Sequence, residues 1–164
     1  QEPYTISIVM QEFMRTHPNA LRSFSILGSD ISSRVLDKAQ QAVYPMEEVE
    51  SLSYDLKKRY FLRSKDEEAA LVRLNKKTRD TVTFQRLNFM ENSYPIQTMK
   101  HIIFCRNALI YFDKPTQKSV IQKLIEPGGY PFLGHSETIF GMNLPLQTVA
   151  PTTFKKIDST GGEA

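Results

Sequence analysis

The sequence holds a single cysteine, Cys105, among its 164 residues. That excludes an internal disulfide and any zinc site built from cysteines. There is no apolar run near the ~20 residues that a membrane-spanning helix needs, and no signal-peptide pattern. No Gly-x-Gly-x-x-Gly and no P-loop occur, so NAD and ATP readings lack a phosphate cradle. A nucleophile elbow of the Gly-x-Ser-x-Gly type is missing too, which argues against a serine hydrolase even where Gly134 precedes His135, Ser136 and Glu137. The histidines are few, and His17 and His101 sit in a helix-ending turn and at a strand start. No metal site is expected from them. The formal charge of +3 is too mild to argue nucleic acid. What remains is a cytoplasmic protein of one domain, or one domain with an insertion, whose 40% hydrophobic residues can fill a core.

What is present alternates between strand and helix patterns. Ile6, Val9, Met10, Phe13 and Met14 recur at helical spacing after Pro3, a good first-turn residue. Residues 24–30 read as a short strand ending in Asp30. Ser32 or Ser33 can cap a helix carrying Val35, Leu36, Ala39, Ala42 and Val43. Further strands are expected at 82–87, 102–105, 130–133 and 152–156, with a helix opened by Pro115 and a turn at Pro127, Gly128 and Gly129. Such alternation argues a mostly parallel sheet covered by helices. The segment from about Tyr44 to Asp80 breaks the pattern. It is dense in charge of both signs, with two short apolar runs, and reads as an insertion carrying a small separate sheet. It is either a solvated excursion or a docking module for a partner protein. The tail after Ile157 is rich in Gly and Ser, and fraying is expected there.

The strongest candidate site is the run from Ile102 to Asp113. It begins as a buried strand and ends in Arg106, Asn107, Tyr111 and Asp113. In an open α/β sheet, ligands bind at the carboxyl ends of strands. A cation, an amide and a phenol in that place suit a small molecule, though a strand ending in a solvated turn reads equally well. Asp30 is the second candidate. A carboxylate offers two acceptor oxygens to the two hydroxyls of a ribose, but it can also simply cap a helix. Asn88 ends the next strand, where an amide can pair with an adenine edge.

Six segments occur together in order and at matching spacing: Glu2 to Ile6, Leu27 to Ser32, Arg59 to Phe61, Phe84 to Phe89, Phe104 to Asp113, and Gly134 to Glu137. In this the chain closely resembles the C-terminal domain of the CheR-type chemoreceptor glutamate O-methyltransferases, from residue 1 to about 157. The resemblance implies an α/β fold, the Rossmann-like sheet of class I methyltransferases, ending in an antiparallel strand and carrying a small inserted β-subdomain. It implies S-adenosylmethionine as cofactor. It places Glu2 at the cofactor site, Asp30 on the ribose hydroxyls, and Asn88 and Phe89 on the adenine side. Arg106 and Asn107 would stand beside the cofactor near the reaction centre, and Tyr111 near the transferred methyl group, with Tyr111 and Arg106 as catalytic residues.

The partner implied is the cytoplasmic domain of a methyl-accepting chemoreceptor, docked by the inserted segment of about 44–80, with no nucleic acid and no membrane insertion. The family's first strand and glycine-rich loop would precede residue 1, so this domain is expected to lack them. The stretch from Leu124 to Gly128 is shorter than its family counterpart, and the loop from Ser64 to Ala70 lacks the glycines of members that bind a receptor-tail pentapeptide. A pentapeptide-independent enzyme is expected. The alternative is a truncated or inactive methyltransferase-fold module that acts only in docking.

Overall fold

The computed structural model describes residues 1–66, 68–91, 93–106, 108–134 and 142–157. They fall into two compact units, the first Gln1–Asn88 and the second beginning at Phe89.

The first unit opens with α1 (Glu2–Thr16), which has Pro3 in its first turn and is ended by His17. Next come β1 (Ile26–Asp30), α2 (Ser33–Gln41), β2 (Val43–Pro45), α3 (Tyr54–Tyr60), β3 (Phe61–Arg63), β4 (Leu71–Leu74), α4 (Lys76–Arg79) and β5 (Val82–Arg86). β1 and β5 form a parallel pair, Ile26 opposite Val82 and Asp30 opposite Arg86. The charged segment between them builds its own antiparallel sheet in the order β2-β4-β3. A small separate sheet there matches the expectation. The helix expected to run through Val43 stops at Gln41, because Ala42 takes a left-handed conformation, φ 52°. That conformation is unusual for alanine. Val43 thereby becomes the first residue of β2, and the Ala42 carbonyl accepts from the Leu74 N–H at 3.1 Å.

One core joins α1, α3 and the strands of both sheets. Tyr4, Ala42, Tyr60, Leu74 and Val82 are buried together, with Ile8, Ile26, Tyr44, Leu56, Phe61 and Phe84 packed against them. Each large apolar side chain so buried is worth roughly 1.5–3 kcal/mol. The Tyr4 ring meets Phe84 edge to face at 5.6 Å. Gly28 makes this approach possible: a Cβ there would stand 2.7 Å from the Phe84 ring and 3.1 Å from the Pro3 ring. A buried polar seam ties α1 to the end of α4. The Ser7 hydroxyl bonds that of Thr81 at 2.7 Å, and the Gln11 amide donates to Ser7 and Thr78, both at 3.2 Å. At the surface of this unit the Glu12 carboxylate accepts from Arg15 at 2.8 Å, Arg59 at 2.5 Å and the Tyr60 hydroxyl at 2.6 Å, joining α1 to α3. These donors, Arg15 first, hold its carboxyl down at about 2.

The second unit contains β6 (Lys100–Cys105), α5 (Lys114–Leu124), β7 (Ile125–Leu133), β8 (Leu146–Ala150) and β9 (Thr153–Lys156). Its sheet runs β6-β7-β9-β8. β6 and β7 are parallel, and the remaining pairs are antiparallel. Parallel pairing thus holds for β1–β5 and for β6–β7, in two separate sheets, and the chain's last described strands run antiparallel. Phe104 lies opposite Phe132, and their rings stack at 4.7 Å. α5 passes into β7 with no loop between them: Leu124 ends the helix and Ile125 begins the strand. The expected turn at Pro127, Gly128 and Gly129 lies inside β7. Lys100 pairs with Ile125 and Ile102 with Tyr130, so residues 126–129 bulge opposite His101. Gly128 takes φ 79°, a left-handed value that glycine adopts without steric cost. β9 is tied back to α5 by Lys156, a buried lysine whose ammonium donates to the carbonyls of Gln122 at 3.0 Å and Ile125 at 2.6 Å. Among the described residues, no helix is long and apolar enough to cross a membrane.

Candidate functional site

The candidate residues of the first unit gather at one end of the β1–β5 pair. Asp30 closes β1, and the Leu87 N–H donates to its carbonyl at 3.1 Å, so Asn88 leaves β5 beside it. Both strands are parallel, and this is their carboxyl end. The direction of α1 follows from its contacts. Pro3 packs at Gly28, within β1, whereas Ser7 and Gln11 reach Thr81 and Thr78, before β5 begins. The helix therefore runs opposite to the strands, and its first residue, the exposed Glu2, stands toward the same carboxyl end.

The loop after β1 is held from two sides. An Asp30 carboxylate oxygen accepts the Ser32 N–H at 2.8 Å, and Arg86 Nε donates to the Ile31 carbonyl at 3.0 Å. The helix cap is Ser32, whose hydroxyl accepts from the Val35 N–H at 3.4 Å; Asp30 does not cap α2. A carboxylate has about four acceptor positions on its two oxygens. The half-buried Asp30 thus keeps the capacity to receive two hydroxyl donors.

In the second unit, Arg106 directly follows β6 and is exposed. Cys105 pairs with Leu133, so Gly134 leaves β7 at the same end. Asn107, along with His135, Ser136 and Glu137, lies outside the described residues. Leu109–Tyr111 form a 3-10 turn. Leu109 is buried at 2% exposure and anchors it, while Tyr111 is 78% exposed. Two devices fix this turn to α5. Asp113 caps the helix, accepting the Thr116 N–H at 3.0 Å, and Thr116 holds its carboxyl below the usual range. Gln117 donates from its amide nitrogen to the carbonyls of Leu109 at 2.9 Å and Phe112 at 2.8 Å. Phe89 meets Phe112 edge to face at 5.6 Å and Tyr94 at 6.1 Å, and the Tyr94 hydroxyl donates to the Phe89 carbonyl at 3.1 Å.

The candidates thus divide between the units. Glu2, Asp30 and Asn88 share the carboxyl end of the first unit's parallel pair. Phe89, Arg106 and Tyr111 belong to the second unit. Residues 1–155 match the family described as CheR methyltransferase, SAM binding domain. The chain belongs to this family. Curated relatives of the CheR family carry the matching name. Chemotaxis protein methyltransferase 2 of Pseudomonas aeruginosa is 37% identical over 157 residues, which cover 94% of this chain and 55% of that protein. The chemotaxis protein methyltransferase of Borreliella burgdorferi is 35% identical over 95% of this chain and 54% of its own length. That of Escherichia coli is 35% identical over 84% of this chain and 48% of its own. The chain spans about half the length of the curated relatives it matches.

Membership of the CheR family implies S-adenosylmethionine as the methyl donor. The donor set at the first unit's carboxyl end fits it chemically: a carboxylate for a ribose diol, and an amide for a base edge. Two residues, one in each unit, escaped the reading of the sequence. Arg86 lies within the Phe84-to-Phe89 segment with nothing to mark its reach back to Ile31. Gln117 lies on an apparent surface helix, eight residues from one of the carbonyls it holds.

Proposed function

We propose that this chain is the cofactor-binding and methyl-transferring part of an enzyme that esterifies glutamate side chains of bacterial chemoreceptors. The observation that carries this reading is the match of residues 1–155 to a SAM-binding methyltransferase domain, with Asp30 at the carboxyl end of a parallel strand pair. When bound, S-adenosylmethionine supplies an electrophilic methyl group on a positively charged sulfur. Asp30 receives the ribose hydroxyls, Asn88 the adenine edge, and Phe89 gives that side an apolar wall. Glu2 completes the cofactor side at the start of α1. Arg106 is assigned a place beside the reaction centre, and the family resemblance gives the same role to Asn107, which lies outside the described residues.

The accepting glutamate is ionised at neutral pH, its ordinary pKa being about 4.3, so the chain need supply no general base. Reactants of opposite charge give neutral products. Residues that merely strengthened the ion pair would stabilise the ground state and not accelerate transfer. The contribution expected of the protein is alignment and exclusion of water. Tyr111 orients the reacting groups through its hydroxyl. The segment of about 44–80 docks the receptor, and the reaction takes place in the cytoplasm.

Calorimetric titration of this chain with S-adenosylmethionine and S-adenosylhomocysteine tests the binding half of the proposal. Methyl transfer from labelled cofactor to receptor cytoplasmic fragments, read as base-labile methyl esters, tests the other half in the full-length protein. Micromolar binding and ester formation are expected. Absence of binding both to the chain and to the full-length protein refutes its role as the cofactor domain, and transfer without ester formation refutes glutamate as the acceptor.

A further inference from the structure

We propose that Gln117 is a positioning residue for Tyr111, a reading that rests on the role given to Tyr111 above. The 3-10 turn that displays Tyr111 is short, and a lone turn of this kind has few bonds to hold it. The Tyr111 N–H reaches Ala108 at 3.3 Å and the Phe112 N–H reaches Leu109 at 3.0 Å. A side chain that is 78% exposed obtains no orientation from packing. Its direction must come from the backbone beneath it.

Gln117 supplies that constraint. A primary amide carries two N–H donors on one nitrogen. Here that nitrogen lies 2.9 Å from the Leu109 carbonyl and 2.8 Å from the Phe112 carbonyl, the residues that bracket Ile110 and Tyr111. One carboxamide therefore clamps both ends of the turn. Gln117 itself stands in the first turns of α5, whose start is fixed by the Asp113 cap and whose far end is buried through Val120, Ile121 and Leu124. The clamp refers the turn to a rigid element, which is how a reactive group is held within the tolerance that alignment demands. Glutamate in its place would present acceptors where donors are required.

The test compares Gln117→Met, which keeps length and removes both donors, with Gln117→Lys, which returns N–H donors at similar reach. Turnover is measured in the full-length protein on a receptor cytoplasmic fragment, with cofactor affinity measured in parallel. Gln117→Met is expected to lower kcat about tenfold or more with cofactor Kd unchanged, and Gln117→Lys to recover a large part of it. The Phe112 amide is expected to exchange its hydrogen at least tenfold faster in Gln117→Met. The double variant with Tyr111→Phe is expected to be no slower than Tyr111→Phe alone, as for residues acting as a unit. If Tyr111→Phe itself leaves kcat unchanged, the role of Tyr111 falls and the clamp's purpose with it. If Tyr111→Phe lowers kcat while Gln117→Met does not, or if the two losses multiply, the positioning proposal alone is overturned. Unchanged Phe112 exchange in Gln117→Met overturns it as well, whatever the kinetics.

Discussion

Replacing Lys156 by methionine should destabilise the second unit, and the structure sets the scale. Lys156 is buried to 9% exposure, and its ammonium serves the carbonyls of Gln122 and Ile125. Methionine keeps most of the side-chain volume and serves neither. Gln122 is exposed, so its carbonyl can turn to water at little cost. Ile125 is 1% exposed, and its carbonyl would be left without that donor in the interior. A buried acceptor stranded in this way costs about 1–3 kcal/mol. Against this, the variant no longer pays to desolvate a charge, which is the burden that pushes the Lys156 amine below its ordinary 10.5. The stranded carbonyl should outweigh the relief, because an amine of lowered affinity for protons still donates hydrogen bonds. In a chain of this size each 1 kcal/mol moves Tm by roughly 2–4 °C, so thermal or urea unfolding resolves the effect.

The pH dependence has a definite sign. Between the depressed folded value and 10.5 the unfolded chain binds more protons at Lys156 than the folded one. Stability there rises with pH. The advantage of the wild type over Lys156→Met should therefore widen as pH climbs through that window. A methionine variant as stable as the parent at neutral pH, with a gap that stays flat on raising pH, would refute the reasoning.

The Glu12 carboxyl, held at about 2 by Arg15, Tyr60 and Arg59, contributes stability that is present above 4.5 and is lost as pH falls toward 2; acid titration should show a shallower loss in Glu12→Gln than in the parent over that range. Gly28→Ala should cost about 1–3 kcal/mol by overpacking against the Phe84 and Pro3 rings, and a urea midpoint equal to the parent's would contradict it. Asp30→Asn keeps one acceptor oxygen and loses the charge, so the Kd for S-adenosylmethionine should rise about tenfold or more, the worth of one charge-assisted hydrogen bond; calorimetry reads this, and an unaltered Kd would remove Asp30 from the ribose.

Local signals made much of the fold legible. Pro3 and Pro115 mark helix starts, Ser32 marks a cap, and the apolar runs ending at Asp30, Arg86 and Cys105 mark strands. β8 went unseen because four of its five residues are exposed and it alternates weakly. The end of α2 was misread because Ala42 adopts a left-handed turn without the glycine or asparagine that announces one. The bulge in β7 was seen as a turn because glycine and proline report local geometry and not the partner strand. In the candidate site, Asp30 could be read from its place after an apolar run. The links that hold the site together could not. Arg86 to Ile31 spans 55 residues and Gln117 reaches back to Leu109 across eight, and no local pattern encodes such pairings.

The direct passage of α5 into β7 has a consequence for how this chain can vary. Connecting loops ordinarily absorb gained or lost residues. Here a residue added near Leu124 would turn the helix by about 100° or exchange the two faces of the strand, carrying Ile125 out of the interior. Length variation is thereby steered a few residues onward, into the bulge at 126–129, where Gly128 already departs from the ladder. An accident of connection thus decides where in this part of the chain evolution can edit by insertion and where it must edit by substitution.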